Sequence, residues 1–230
     1  MVDLVGGGAD TAPAAPRGAA LEWSVGLRHL RRDPVLRRVI REIGPYTLQP
    51  VLREPYEALV RAIAHQQVHG RAAEAVLGRF LLLFPAHAFP PPEMVLALPA
   101  EALRGCGFSG NKVAAIRDIA EKSAGGLVPT REGCEGYSDA ALIERLVAIR
   151  GVGRWTVEML LIFTLGRQDI LPVDDFGVRE GFRAAAGLEE QPKPKALAEI
   201  GLAWAPWRSL AAWYLWRAAD AAKRGSFKPQ

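Results

Sequence analysis

The sequence predicts an all-α fold, and two observations support that prediction. Apolar residues recur at helical spacing through most of the chain, as Leu59, Val60 and Ile63 do. No alternation of apolar and polar residues, as in a half-buried strand, extends over a useful length. The chain has 230 residues, of which 50% are hydrophobic, so it can bury a full core in one or two domains.

The N-terminal segment differs from the rest in composition. Residues 1–19 contain GGG, TAPAAP and RGAA and hold few large apolar side chains. Such a segment buries too little apolar surface to offset the entropy lost on ordering it. We therefore expect a disordered tail over residues 1–19 and helical order from about Leu21.

Capping and helix-breaking residues divide the remainder into helices. Three prolines at 90–92 end one helical pattern, and a new helix is expected from Glu93. The stretch 103–112 predicts a helix that ends on glycine and a second helix that Ser109 caps. A further helix is expected to begin at a cap formed by Ser138 or Asp139. A polar loop over residues 190–195 is expected to precede a long, tryptophan-rich last helix.

The amino-acid composition indicates which classes of partner suit the protein. The formal net charge is +4, and 23 of the 29 basic residues are arginines. Arginine binds phosphate bidentately and stacks on bases, which suits nucleic acid, although a GC-rich genome would explain the same excess equally well. The chain has neither a signal-peptide pattern nor the run of about 18 apolar residues that a membrane span requires. We expect a cytoplasmic protein with no membrane partner.

The two cysteines, Cys106 and Cys134, do not form a metal-binding pattern. They lie far apart in the sequence, with no CxxC and no cluster with histidine. A structural zinc ion or an iron–sulfur cluster needs about four protein ligands. We therefore expect neither of these centres, and the chemistry must come from other residues.

The most informative segment is Ile149–Thr156, which separates two apolar helical patterns. It contains Gly151 and Gly153, and an aspartate, Asp175, follows Gly153 by 22 residues. Glycines allow the tight turn and expose the N–H groups at the start of the second helix, where phosphate binds. The segment therefore predicts a helical hairpin that holds DNA, followed by a catalytic carboxylate.

A simpler interpretation is that this glycine pair is only a turn between two helices, because a lone Gly-x-Gly is a weak motif. Two neighbouring features favour the DNA-binding interpretation. Arg154 adds a cation that can reach a phosphate, and apolar Ile149 and Val152 can fix both helices so that the amides keep their direction.

The hairpin and the aspartate together resemble the helix-hairpin-helix DNA glycosylase superfamily, which carries a Gly/Pro-rich loop and a catalytic Asp. Further blocks resemble its alkylpurine branch, the compact bacterial 3-methyladenine DNA glycosylase II enzymes, over about residues 50–220. These blocks are Tyr56–Val68, the GFSGNKVAAIRDIA stretch from Gly107, Leu171–Phe176, and Pro206–Ser209 followed by Trp213 and Trp216.

The resemblance implies an architecture for the chain. A glycosylase domain is expected over residues 20–230, with two helical lobes and an active-site cleft between them. One lobe, at roughly 55–165, contains the hairpin, and the N- and C-terminal helices form the other. The additional N-terminal β-domain of larger bacterial relatives is not expected here.

By its position in the motif, Asp175 is the expected catalytic residue. An alkylated purine already carries positive charge, so its departure needs little protonation, and one carboxylate can stabilise the sugar cation or activate a water. Asp175 could instead be only the N-cap of the next helix, and both roles are compatible because a helix start favours an ionised carboxylate. Asp174 is interpreted as the cap or as a polar neighbour.

The family's base pocket maps onto Trp155, Met159 and Trp216. An aromatic wall stacks on a flipped base and adds a cation–π attraction of roughly 0.5 to 2 kcal/mol when the base is charged. Bifunctional relatives carry a nucleophilic lysine at the position of Trp155. Without that amine no Schiff base forms there, so strand cleavage is not expected.

The resemblance also assigns the DNA contacts and a possible ion site. The hairpin contacts are Gly151, Gly153, Arg154 and Thr156, and the wedge that fills the gap left by the flipped base is expected at the turn holding Gln66 and Gln67. Some relatives have leucine in place of Gln67, so the identity of the wedge stays open. The carbonyls that can hold Na⁺ or K⁺ in this superfamily are those of Val147, Ile149 and Val152, and no cofactor is required.

The sequence therefore predicts a monofunctional glycosylase that flips and hydrolytically excises 3-methyladenine or 7-methylguanine in base-excision repair. It would act as a monomer on damaged double-stranded DNA in the bacterial cytoplasm, at the nucleoid. Two alternatives remain: a hairpin glycosylase for oxidised or mismatched bases, and a hairpin module that binds DNA without catalysis.

Overall fold

The protein is described by a computed structural model that covers the backbone of residues 17–227 and the side chains of residues 23–227. Every regular element in that range is helical, which confirms the predicted all-α fold. None of these helices is both long enough and apolar enough to cross a membrane. Of the tail expected over residues 1–19, residues 1–16 lie outside the described residues.

Twelve α-helices and two short 3₁₀ helices follow one another along the described residues. The α-helices are α1 (Arg17–Leu30), α2 (Pro34–Ile43), α3 (Pro55–His65), α4 (Gly70–Leu82), α5 (Pro92–Ala97), α6 (Ala100–Gly105), α7 (Gly110–Ala124), α8 (Asp139–Leu146), α9 (Arg154–Phe163), α10 (Phe176–Ala186), α11 (Pro194–Gly201) and α12 (Arg208–Lys223). The 3₁₀ helices are Gly133–Gly136 and Leu202–Trp204.

Several of the predicted helix boundaries are confirmed by their capping bonds. The Ser109 hydroxyl accepts a hydrogen bond from the Lys112 amide at 3.4 Å and caps α7. Ser138 caps α8 in the same way, through the Ala141 amide at 3.2 Å. A hydroxyl at the N-cap satisfies an amide that has no partner within its own helix, which is why these helices begin where they do.

Two boundaries differ from the prediction. Residues 17–19 form the first turn of α1 instead of belonging to a disordered tail, and alanine, the best helix former, is frequent there. The polar loop expected at 190–195 ends earlier, because Pro194 begins α11. Proline is favoured in the first turn of a helix, where its missing N–H has no helical partner to lose.

The chain divides into two compact units, each with its own core. The first unit spans Val51–Leu160, and α7 packs against α3, α5 and α6 within it. The core residues Leu59, Ile63 and Ile116 are almost completely buried there. This unit contains the helical hairpin formed by α8, the turn 147–153 and the start of α9.

The second unit contains the described residues up to Pro50 and those from Leu161 onward. Its central element is α12, which packs against α10, α2 and α1 and is buried along most of its length. The approach of α10 to α12 depends on glycine, because a Cβ at Gly181 would collide with the carbonyl oxygen of Leu215. The start of α10, with Asp175, is thereby held against α12.

Candidate active site and DNA-binding hairpin

The hairpin turn presents glycine backbone to solvent between two buried apolar anchors. The side chains of Ile149 and Val152 are 2% and 4% exposed. Gly151 and Gly153 themselves lie on the exposed side of the turn. Because the first amides of an α-helix have no partner within it, those at the start of α9 can bind an anion.

The structure explains the two glycines of the turn, Gly151 and Gly153, differently. Gly151 has a φ of +77°, and a Cβ there would lie 3.1 Å from the Ala115 Cβ and 3.4 Å from Ile63 Cδ1. A side chain at Gly151 is therefore unfavourable for the fold itself. A Cβ at Gly153 would meet no atom of the described residues within 4 Å. Packing among the described residues therefore does not require glycine at that position, and its exposed backbone is accessible to a ligand.

We expect Gly153→Val to weaken binding to undamaged duplex DNA of any sequence, by about tenfold or more, because the added side chain keeps phosphate away from the helix-start amides. Fluorescence anisotropy measured over a range of salt concentrations checks this result. Leu202→Val is the control, since Leu202 is 69% exposed in the second unit. Unchanged affinity in the folded Gly153→Val variant would show that DNA does not approach this turn closely.

Arg154 and Thr156 begin α9 but differ in accessibility. The Arg154 side chain is 63% exposed, and its Nε lies 2.9 Å from Oε1 of the buried Glu158. The exposed guanidinium can therefore contact a phosphate while its Nε remains paired. Thr156 is buried at 5% exposure, so its side chain offers little surface to DNA, and its role as a DNA contact stays a prediction. Its amide, at the third position of α9, is the group that could face DNA.

The turn between α3 and α4 contacts the hairpin directly. Gln66 Nε2 donates a hydrogen bond to the Gly151 carbonyl at 3.1 Å, so Gln66 supports the turn. Gln67 is exposed and has a φ of 57°, alone among the non-glycine residues 17–227 in taking a left-handed conformation. A non-glycine residue in this conformation is strained, and such residues concentrate at ligand-binding turns.

The expected ion ligands are the carbonyls of the same turn. Val147 is 41% exposed, whereas the Ile149 and Val152 side chains are buried. The Ile149 carbonyl accepts the Val152 amide at 3.1 Å, and a carbonyl has a second lone pair for a cation. A Na⁺ or K⁺ site at these carbonyls stays a prediction.

The expected pocket residues on α9 lie four positions apart and therefore share one helix face. Trp155 is 36% exposed, and Met159 is buried at 7%. Phe163, four positions further, continues this face and was not singled out from the sequence. The i, i+4, i+8 spacing of three large apolar residues was the feature that could have indicated it.

Asp175, the carboxylate expected to be catalytic, is positioned by hydrogen bonds within the second unit. Asp175 Oδ1 accepts the Val178 amide at 2.8 Å, which makes Asp175 the N-cap of α10. The same oxygen accepts the indole N–H of Trp216 at 2.8 Å. Asp174 is exposed and is not the cap. The N-cap role and the predicted catalytic position therefore coincide at Asp175.

The indole of Trp216 lies beside Asp175 because Gly177 has no side chain to exclude it. Its ring is 8% exposed and packs on Phe163, with the ring centroids 5.5 Å apart. A Cβ at Gly177 would lie 2.8 Å from Trp216 Cδ1 and 3.2 Å from Asp175 Oδ1. Gly177 thus permits the contact between the indole and the carboxylate, a role that the sequence did not reveal.

The loop that leads to Asp175 is fixed by the start of α12. The buried Ser209 hydroxyl donates to the Arg167 carbonyl at 2.7 Å and accepts the Ile170 amide at 3.0 Å. Arg208 binds both carboxylate oxygens of Asp169, at 2.6 and 2.8 Å. Arg208 and Ser209, at the end of the Pro206–Ser209 block, therefore hold the loop that precedes Asp175.

Comparison with known proteins identifies the family of the chain. Residues 60–206 match the family model of the HhH-GPD superfamily base excision DNA repair proteins, a range that includes the hairpin and Asp175. The chain belongs to this superfamily. This HhH-GPD protein is 42% identical to DNA-3-methyladenine glycosylase 1 of Schizosaccharomyces pombe over 192 residues, which cover 83% of the chain and 84% of the relative.

Two solved structures resemble the HhH-GPD chain closely. One is the S. pombe 3-methyladenine DNA glycosylase Mag1 in complex with abasic DNA, with a TM-score of 0.75 and 41% identity, covering 84% of this chain and 95% of that one. The other is a DNA-3-methyladenine glycosidase from Bacillus halodurans, with a TM-score of 0.79 and 35% identity, covering 87% and 91% of the two chains. Both similarities extend over nearly the whole length of these relatives.

Proposed function

We propose that this chain is a DNA glycosylase that excises alkylated bases of the 3-methyladenine and 7-methylguanine type in base-excision repair. The observation that carries the proposal is the Asp175 carboxylate at the start of α10, bonded to the Trp216 indole. The names of the relatives support the class of substrate. The exposed glycine backbone of the hairpin supports DNA as the partner.

The chemistry follows from the charge of the leaving group. A 3- or 7-alkylated purine leaves as a neutral base, so breaking its bond to C1′ builds positive charge on the sugar. An ionised Asp175 stabilises that charge, or takes the proton of the attacking water, without an acid to protonate the base. The Val178 amide and the Trp216 indole both donate to Oδ1 and fix its position.

The aromatic residues give a reason for selectivity. A cationic base gains attraction to an aromatic face that a neutral base lacks. We propose that Trp155, which is 36% exposed, supplies such a face, with Met159 beside it on α9. Trp216 is largely covered in this structure, and its bond to Asp175 assigns it first to positioning of the carboxylate.

The absence of strand cleavage is part of the proposal. The position of the nucleophilic lysine in bifunctional relatives holds Trp155, and tryptophan cannot form an imine. We expect product DNA with an intact abasic site, cleaved only after alkali or heat. Borohydride added during turnover should trap no covalent complex, as scored by a shift on a denaturing gel. A trapped adduct with wild-type protein would show that another amine acts as a nucleophile.

A panel of defined lesion oligonucleotides tests the proposed substrate class. We expect base release from duplexes with 7-methylguanine, and little or none from duplexes with 8-oxoguanine or a simple mismatch. Base release from the oxidised or mismatched duplexes alone would favour the alternative of a hairpin glycosylase for oxidised or mismatched bases. DNA binding without release from any duplex would favour the other alternative, a non-catalytic hairpin module.

A further inference from the structure

The hairpin turn is held by a charged pair on α7, outside the hairpin itself. Asp118 Oδ2 accepts the Arg150 amide at 2.6 Å. The same oxygen accepts Lys122 Nζ at 2.8 Å, and Lys122 Nζ also donates to the Ala148 carbonyl at 2.8 Å. Two consecutive peptide groups of the turn are therefore bound by one pair of side chains.

Other residues also contact the inner side of the turn, next to Asp118 and Lys122. Ala115, one turn before Asp118 on α7, lies under Gly151, and Gln66 binds the Gly151 carbonyl from the turn after α3. The outer side of the turn, with Arg150, Gly151 and Gly153, stays exposed. The contacts on the inner side thus fix the direction in which the exposed backbone faces.

The arrangement places a negative charge beside a turn that must attract phosphate. Burial acts to raise the pKa of Asp118, but the bonds from Lys122 and the Arg150 amide outweigh it and hold the pKa below its ordinary value. Asp118 is therefore ionised at neutral pH. Alone it would repel a phosphate group nearby, and Lys122 at 2.8 Å cancels most of that repulsion.

We propose that Asp118 and Lys122 are positioning residues for DNA binding, in which Asp118 fixes the hairpin turn and Lys122 neutralises Asp118 so that the turn still attracts phosphate. This inference rests on the proposed role of the hairpin in holding DNA. The Arg150 amide is also unavailable to donate a hydrogen bond to phosphate, because it donates to Asp118. The amides at the start of α9 remain.

Four variants separate the two roles. Lys122→Met leaves the charge of Asp118 unbalanced, and it should weaken binding to undamaged duplex DNA at low salt by about three- to tenfold. Asp118→Asn combined with Lys122→Met removes both charges but keeps an acceptor for the Arg150 amide, so it should recover most of the lost affinity. Asp118→Ala removes that acceptor, and it should bind more weakly than Asp118→Asn.

Affinity for undamaged DNA is measured by fluorescence anisotropy at several salt concentrations, so the result does not depend on base excision. Lys195→Met controls for net charge, because it removes one cation from an exposed position of α11 in the other unit. The Asp118 and Lys122 side chains are 23% and 28% exposed, and thermal melting verifies that each variant is folded. A double variant that binds no better than Lys122→Met, or an Asp118→Ala variant that binds as well as Asp118→Asn, would overturn the inference. If the wild-type protein excises no base while these affinities are as expected, the result counts against the proposed glycosylase activity and not against this inference.

Discussion

Asp175→Asn is expected to lower the rate of base release by about a thousandfold or more while leaving the fold and DNA binding intact. Asparagine is as good an N-cap as aspartate, and its side-chain oxygen can still accept the Val178 amide and the Trp216 indole. What it removes is the negative charge opposite the sugar cation. The measurement is single-turnover release of 7-methylguanine from a defined duplex.

The adjacent Asp174 provides the matched control for this variant. Asp174 is exposed and does not cap α10, so Asp174→Asn makes the same change of charge one residue away. It should cost far less activity. If Asp175→Asn retains the wild-type rate in protein that melts normally, the carboxylate assignment fails and the binding-module alternative gains support.

Trp216→Phe is expected to have the second largest effect, a loss of about ten- to hundredfold in the single-turnover rate. The variant keeps a ring that can pack on Phe163 but deletes the N–H that binds Asp175 Oδ1 at 2.8 Å. Hydrogen bonds to charged groups contribute about 1.5 to 3 kcal/mol, which corresponds to this range of rates. Because the change acts through Asp175, the loss should be similar for 7-methylguanine and for a neutral lesion such as hypoxanthine.

The same substitution at Trp213 controls for loss of an indole from α12. Trp213 is buried and packs on Tyr46 and Tyr214, with ring centroids 4.9 and 4.8 Å away. Trp213→Phe should lower the melting temperature but leave the single-turnover rate of base release nearly unchanged in folded protein. A Trp216→Phe loss confined to the cationic lesion would assign Trp216 to the pocket wall instead of to positioning.

The parts of this fold that local chemistry determines were predictable from the sequence. The caps at Ser109 and Ser138 and the glycine turn at 151–153 depend on residues within about four positions of each other, so their pattern is visible in the chain. Asp175 was identified by its place after the hairpin, and its capping bond to Val178 is equally local.

The contacts that arrange the site depend on tertiary packing and were not predictable. Trp216 and Asp175 are 41 positions apart, and their bond requires the approach of α10 to α12 that Gly177 and Gly181 permit. Asp118 and Arg150 are separated by 32 positions in the same way. The resemblance also assigned Thr156 to the DNA contacts, whereas packing of α9 buries its side chain.

The most direct test of the central claim is to identify the product released from methylated duplex DNA. After incubation with the wild-type protein, the small-molecule fraction is analysed by chromatography and mass spectrometry, with Asp175→Asn as the paired sample. We predict free 3-methyladenine and 7-methylguanine from wild-type protein only, with abasic sites left in unbroken strands. No free base above the level of the Asp175→Asn sample, from protein that binds the same DNA, would contradict the account.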